Sequence, residues 1–306
     1  MSNKKAIGID IGGTNLRVAL VSSSGEVLRK VKEPSTGDIM AAISRAVEGM
    51  IDDSVVGVGV GVAGLIDREG RRVLTSLNLQ NIEGKALGEI ASGRRVVIEN
   101  EANAAAIGER WIGVGREFRN FVMLTLGTGI GCGIVYDGAL LCVPAEAGHM
   151  SIYASGERCA CGNYGCLEHY CSAGAITNMI ITALDRGTSS ILRDYHQGNI
   201  YKITPEDVYK AAFEGDSLAR ETLREAGRNL GVGISNLINI FGPDAVILTG
   251  GLTRAWDIYI VEAIREASRR AFREIFEKVR IIRSGLGDDD TGIIGAAALI
   301  LHTDEK

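Results

Sequence analysis

Near its start the chain reads Ile7-Gly8-Ile9-Asp10-Ile11-Gly12-Gly13-Thr14-Asn15-Leu16-Arg17-Val18-Ala19-Leu20. Two apolar runs flank a turn of Gly, Gly, Thr and Asn, and such runs predict the two strands of a hairpin. Gly12 and Gly13 have no Cβ, so the turn can bring backbone N–H groups close to a ligand. With the Thr14 hydroxyl they form a cradle for an anion, and the Asp10 carboxylate beside them suits Mg²⁺. A purely structural hairpin can also use Gly-Gly, and repetition weighs between the two readings. Residues 121–136, Phe-Val-Met-Leu-Thr-Leu-Gly-Thr-Gly-Ile-Gly-Cys-Gly-Ile-Val-Tyr, share the layout, with Gly127, Thr128 and Gly129 at the turn. An internal echo of a strand–turn–strand unit predicts two related domains. Two such turns facing each other across a cleft would hold a polyphosphate. A third glycine turn, Thr249-Gly250-Gly251, follows a buried-strand pattern, and a fourth lies in residues 290–298.

Between these turns, strand and helix patterns alternate, which indicates an α/β architecture. An amphipathic helix is expected over residues 40–51. A buried strand is expected over 55–63, with glycines where a ligand or neighbour comes close. A short strand follows at 95–99. Helices are expected at 103–111, 173–185, 206–215 and 217–241, and an amphipathic, charged one at 254–278. Gly227, Gly231 and Gly233 in the long helix are tolerable if they permit close helix packing. The domain boundary falls near residues 113–119. This gives a small N-terminal domain over 1–115 and a large one over 116–290, with a final helix over about 291–306 packing back on the first.

The 306 residues carry a net charge of −5, which argues against a nucleic-acid partner. Glycines and charges interrupt every apolar run short of membrane-spanning length, so no membrane partner is expected. No signal-peptide pattern precedes the first strand, and the cytoplasm is the expected compartment. All six cysteines lie between Cys132 and Cys171, and without a secretion signal metal binding is favoured over disulfides. Cys159, Cys161 and Cys166 place three thiols within eight residues, with two glycines to turn the chain. Thiolates at that spacing can reach one tetrahedral ion. Spacing leaves the fourth ligand open among His169, Cys171 and His149.

These motifs together resemble the sugar kinases of the ROK family (repressors, open reading frames, kinases), most of all its glucokinases, from about Ala6 to about Leu301. The resemblance implies the actin-like ATPase (ribonuclease H-like) fold, two related α/β domains with the ligands in the cleft between them. It assigns Gly12, Gly13, Thr14 and Asn15 to the first phosphate motif, with Asp10 toward Mg²⁺. Gly127, Thr128 and Gly129 become the second phosphate motif, and Gly250 and Gly251 the adenosine site. The family's Gly-His element followed by Cys-x-Cys-Gly-x-x-Gly-Cys-x-Glu matches His149, Cys159, Cys161, Cys166 and Glu168. It implies a structural Zn²⁺ on the His and three Cys, which leaves Cys132, Cys142 and Cys171 as packing residues. By resemblance the sugar hydroxyls meet Gly64, Asn78, Asn100, Glu101, Glu146, His149 and Glu168. The family has Asn-Asp-Ala-Asn where this chain has Asn100-Glu101-Ala102-Asn103. Its general base is therefore a Glu here, one methylene longer and with a similar intrinsic acidity. The implied activity is ATP-dependent phosphorylation of a hexose, glucose to glucose 6-phosphate, by direct in-line transfer in a homodimer or homotetramer. N-acetylmannosamine or another hexose is the alternative substrate, and a sugar sensor of weak activity the alternative role. ROK repressors carry a helix-turn-helix domain ahead of the kinase-like part, and with the first phosphate turn within a dozen residues of Met1 none is expected here.

Overall fold

The chain is described by a computed structural model covering residues 4–76, 79–91 and 93–302. Asn78, expected at the sugar site, lies outside the described residues. The chain forms two compact units, one of residues 1–123, 132–145 and 284–306, the other of 124–131 and 146–283.

The first unit is built on a sheet of β1 (Lys5–Ile11), β2 (Asn15–Ser22), β3 (Val27–Pro34), β4 (Val55–Val62) and, after a ribbon of β5 (Leu65–Asp67) and β6 (Arg72–Thr75), β7 (Arg95–Asn100). The strand order is β3-β2-β1-β4-β7. β1 and β2 form the expected antiparallel hairpin, and β4 runs parallel to both β1 and β7. Side chains alternate across a strand, and β4, Val-Val-Gly-Val-Gly-Val-Gly-Val, uses that period fully. Val58, Val60 and Val62 join Ile7, Ile9 and Ile11 in one core, where α1 (Ile39–Glu48) adds Ile39, Ile43 and Val47. The glycines turn to the other face. There the final helix (Thr291–Leu301) lies so close that a Cβ at Gly59 would overlap the Ala296 carbonyl, and one at Gly8 the Ile293 carbonyl. Ile293, Ala297 and Ile300 of that helix pack on Ala6, Ala19 and Val21. The neighbour that β4's glycines admit is thus a helix. The fourth glycine motif is the start of this helix, not a strand–turn unit.

The second sheet consists of β8 (Phe121–Leu126), β9 (Ile130–Tyr136), β10 (Ala139–Leu140), β11 (Ala245–Thr249) and β12 (Arg280–Arg283), in the order β10-β9-β8-β11-β12. β9 and β10 are antiparallel, β11 and β12 parallel. Strand for strand this repeats the order of the first sheet: three consecutive strands laid down in reverse, then two later ones. The division between the units falls inside β8 and β9.

α2 spans Glu101–Trp111, beginning two residues earlier than its hydrophobic pattern suggested. The second unit adds α3 (Glu168–Cys171), α4 (Ala173–Asp185), α5 (Pro205–Phe213) and the 25-residue α6 (Ser217–Phe241). On α6, Gly227 and Gly231 face the carbonyls of Tyr259 and Ala263, where a Cβ would collide, so these glycines do serve close helix packing. The single helix expected over 254–278 is instead several pieces. A 3₁₀ turn, Gly251–Ala255, leads into a π-helical turn, Trp256–Ile260, then α7 (Val261–Arg270) and α8 (Arg273–Phe276). The break falls at Ala271, whose ψ of 154° is extended. Among the described residues no helix is long and apolar enough to cross a membrane.

Candidate active site

In the first unit, strand alternation puts Asp10 on the same face as Ala6 and Gly8, toward the start of the final helix. A Cβ on Gly292 would lie 2.5 Å from the Asp10 carboxyl carbon. Arg17, the direct partner of Asp10 in the hairpin register, donates from Nη1 to Asp10 Oδ2 at 3.0 Å and from Nη2 to Asp289 Oδ1 at 3.4 Å. Burial raises the Asp10 carboxyl above its ordinary value, against the opposing pull of Arg17. The turn beyond it is pinned from behind. Gly12 N donates to Asn15 O at 3.1 Å, Ser35 Oγ to Gly12 O at 2.7 Å, and Ser35 N to Thr14 O at 3.0 Å. Gly13 and Thr14 form the exposed tip. A pinned turn with an exposed hydroxyl and a buried carboxylate behind it can hold a phosphate and its cation.

Asn100 is the N-cap of α2, and its Oδ1 accepts from Ala102 N at 2.9 Å and Asn103 N at 3.3 Å. Its Nδ2 donates to Gly64 O at 3.2 Å, so two expected sugar contacts are tied to each other. Gly64 has φ 133°, and a Cβ there would overlap Thr75 O, so no other residue serves at this position. Glu101 is the first helical residue and is half-buried. The partial positive charge of a helix start attracts a carboxylate at this position. Just before it, Glu99 is buried and gripped by Arg68, with Nε to Oε2 at 2.7 Å and Nη2 to Oε1 at 2.8 Å. Neither residue is visible to sequence reasoning as functional. An acid at the end of an apolar strand gives no sign of a partner 31 positions away.

In the second unit the turn after β8 closes with Gly127 N donating to Gly129 O at 3.0 Å, while Ala173 N, at the start of α4, donates to Gly127 O at 2.9 Å. Thr128 is exposed at the tip. Glu168 Oε2 accepts from Ile130 N at 2.8 Å and lies where a Cβ on Gly129 would be. One expected sugar residue is thereby brought directly against the second glycine turn. Glu146 is exposed and opens the 3₁₀ turn Ala147–His149, with His149 N donating to Glu146 O at 3.0 Å. Gly250 follows β11, and Thr253 N and Oγ1 donate to its carbonyl at 3.0 and 2.9 Å. Gly251 is exposed beside it.

The ligand atoms of His149, Cys159, Cys161 and Cys166 all lie within 4.8 Å of one another. His149 Nδ1 stands 3.7 Å from Cys159 Sγ, and Cys161 Sγ 3.6 Å from Cys166 Sγ. A tetrahedral ion with Zn–S about 2.3 Å and Zn–N about 2.0–2.1 Å separates its donors by roughly 3.4–3.8 Å. The three thiols and the imidazole fit that ion. Burial and the neighbouring thiols push Cys166 up to about 12, while hydrogen bonds from Asn163, Cys159 and Cys166 outweigh desolvation and lower Cys161. The two candidates that spacing left open beside His149 are elsewhere. His169 packs edge-on against Tyr170, and the buried Cys171 donates to Leu167 O at 3.2 Å.

A model of the ROK family matches residues 6–303. A glucokinase of Thermotoga maritima is 35% identical, the match covering 98% of each chain. A xylose repressor of Caldicellulosiruptor bescii is 31% identical over 96% of this chain and 77% of the repressor. Among solved structures, a ROK family glucokinase from Streptomyces griseus in complex with glucose and AMPPNP superposes with a TM-score of 0.88. It is 30% identical, and the match covers 98% of this chain and all of that one.

Proposed function

The chain belongs to the ROK family, and from that premise we propose that it transfers the γ-phosphoryl group of ATP to glucose, giving glucose 6-phosphate and ADP. The fold is the actin-like ATPase fold of that family. The observation that carries the reading is the start of α2, where the Asn100 cap is bonded to Gly64 and the Glu101 carboxylate follows. A fixed amide donor beside a carboxylate acceptor is what the hydroxyls of a sugar need.

In the proposed mechanism the sugar hydroxyls meet Gly64, Asn78, Asn100, Glu101, Glu146, His149 and Glu168, the residues that the family resemblance assigns to them. Gly12, Gly13, Thr14 and Asn15, with Gly127, Thr128 and Gly129, take the phosphates, and Gly250 and Gly251 the adenosine. Glu101 accepts the proton of the C6 hydroxyl. The sugar oxygen bonds to the γ-phosphorus as the bond to the β-phosphate oxygen breaks, ADP leaves, and the proton passes from Glu101 to solvent. Phosphoryl transfer asks mainly for positioning and charge stabilisation. Mg²⁺, held through Asp10, would offset charge on the phosphates. A structural zinc on His149, Cys159, Cys161 and Cys166 would brace the segment carrying Glu146 and Glu168. Because Nδ1 of His149 faces Cys159, Nε2 remains to meet a sugar hydroxyl. A homodimer or homotetramer working in the cytoplasm, where ATP is supplied, completes the reading.

The 31% identity to a xylose repressor supports a second reading, a sugar sensor of little activity. Coupled ADP release measured with glucose, N-acetylmannosamine, mannose and fructose decides between them. Glucose should stimulate release most strongly, with glucose 6-phosphate as product. A preference for N-acetylmannosamine would move the substrate, and sugar binding without release from any hexose would leave the sensor.

A further inference from the structure

Glu99 is the one carboxylate next to the start of α2 that the mechanism does not use, and it is only 4% exposed. Its register partner in β4 is Gly61, so no side chain stands opposite it on that face. Its Oε2 takes Arg68 Nε. Its Oε1 takes Arg68 Nη2 at 2.8 Å, Asn100 N at 2.8 Å and Asn103 Nδ2 at 3.0 Å. One carboxylate therefore fixes the residue before Glu101 and the residue two after it. Asn100 closes the ring by accepting from the N–H groups of Ala102 and Asn103.

The orientation of Asn103 shows which group commands the arrangement. Its Nδ2 serves Glu99 and, at 3.4 Å, Val143 O. Its Oδ1 is buried without a hydrogen-bond partner among the described residues. An amide free to choose would not leave an acceptor unsatisfied. Two acceptors around Nδ2 hold it there.

We propose that Glu99 is a positioning residue for Glu101, with Arg68 as the counter-charge that locks it. The proposal rests on Glu101 being the base of the kinase reading. A planar guanidinium fork fixes a carboxylate in plane and direction as a lysine cannot. Plain stability does not explain the fork, because the Arg68 side chain is 36% exposed and an ion pair open to solvent adds little. Set against the base, the fork supplies direction. A displacement of about 1 Å at a reacting group can cost on the order of a hundredfold in rate.

The test is a double-mutant cycle on folded protein, checked by thermal melting, with glucose and ATP. Glu99→Gln and Arg68→Lys should each lower kcat by about 10- to 100-fold with KM for ATP unchanged. In a Glu101→Gln background Glu99→Gln should cost at least about fivefold less, because the group it positions is already gone. The proposal is overturned if kcat of Glu99→Gln stays within about twofold of wild type, or if the cost is the same in both backgrounds. Should Glu99→Gln fail to fold, Arg68→Lys carries the same cycle, since it keeps the charge and loses only the fork. Wild-type protein that releases no ADP with any hexose removes the kinase reading and this proposal together. An active wild type with an additive cycle removes only the proposal.

Discussion

Glu101 and His149 are placed by opposite means. Glu101 stands where a strand passes directly into a helix, and its neighbours are held by a cap, a strand register and a salt-bridged carboxylate. His149 lies in a stretch, residues 141–167, whose described structure is one 3₁₀ turn and the isolated bridges Ser151↔Cys166 and Arg158↔Tyr164. Repeating backbone hydrogen bonds hold the first place. The second has only scattered ones, such as Ile152 N to Gly165 O at 2.8 Å, and there the chain gathers three thiols and an imidazole. Even its turns are specialised: Gly165 has φ 69°, and a Cβ on it would overlap Tyr153 O. Where regular structure ends, four side chains that fit one metal ion are gathered instead.

The largest effect that tests this contrast is on chemistry. Glu101→Gln should lower kcat by about 10²–10⁴ while glucose still binds by calorimetry. Glu101→Asp shortens the arm by one methylene, and a faster Asp variant would show that the helix start holds the native carboxylate short of its best position. Wild-type rates in the Gln variant would remove the base. Next comes the packing that supports the regular half. Gly59→Ala forces a methyl into the Ala296 carbonyl and should destabilise by about 3 kcal/mol in urea unfolding. Gly61→Ala, whose Cβ would sit 3.4 Å from Ala104 Cβ, is the control and should change little. Equal stability of the two variants would mean that the strand–helix contact yields.

A smaller effect is expected around the thiol cluster. Cys161→Ser should lose the metal by elemental analysis and weaken glucose binding about tenfold, with KM for ATP unchanged. Full zinc content with unaltered glucose affinity would separate the cluster from the sugar. The smallest effect concerns pH. Burial raises Asp10 above 3.8, so between 3.8 and its folded value the folded protein binds more protons than the unfolded chain. Stability from this group is therefore present at low pH and falls as pH rises through that window. Asp10→Asn should flatten the slope of urea midpoints measured upward from about pH 4. An unchanged slope would assign it to other groups.

The regular half was largely legible in the sequence, because periodicity and turn chemistry are local. Both glycine hairpins, α1, α4 and α6 follow from them. Two local readings failed for local reasons. The sequence pattern puts the start of α2 at Asn103, two residues late, while the cap that begins the helix is a side-chain hydrogen bond no hydropathy pattern records. The amphipathic run over 254–278 hid the break at Ala271, since the residues on either side keep the helical period. The stretch around His149 was legible only as three cysteines; the choice of His149 over His169 needed the resemblance, because spacing alone permits either. The Arg68–Glu99 fork and the pairing of Asp10 with Arg17 were not legible in the sequence, being partnerships of fold and register rather than of motif.

The glycine face of β4 has a consequence for motion. A layer of side chains between strand and helix can reshuffle rotamers and absorb a displacement. A carbonyl resting against a bare Cα has nothing to reshuffle. β1, β4 and the final helix are therefore expected to move as one unit. Their amides should exchange with deuterium together and slowly, through one concerted opening and not by fraying from an end. The same contact narrows the chemical alphabet at Gly8 and Gly59 to a single letter.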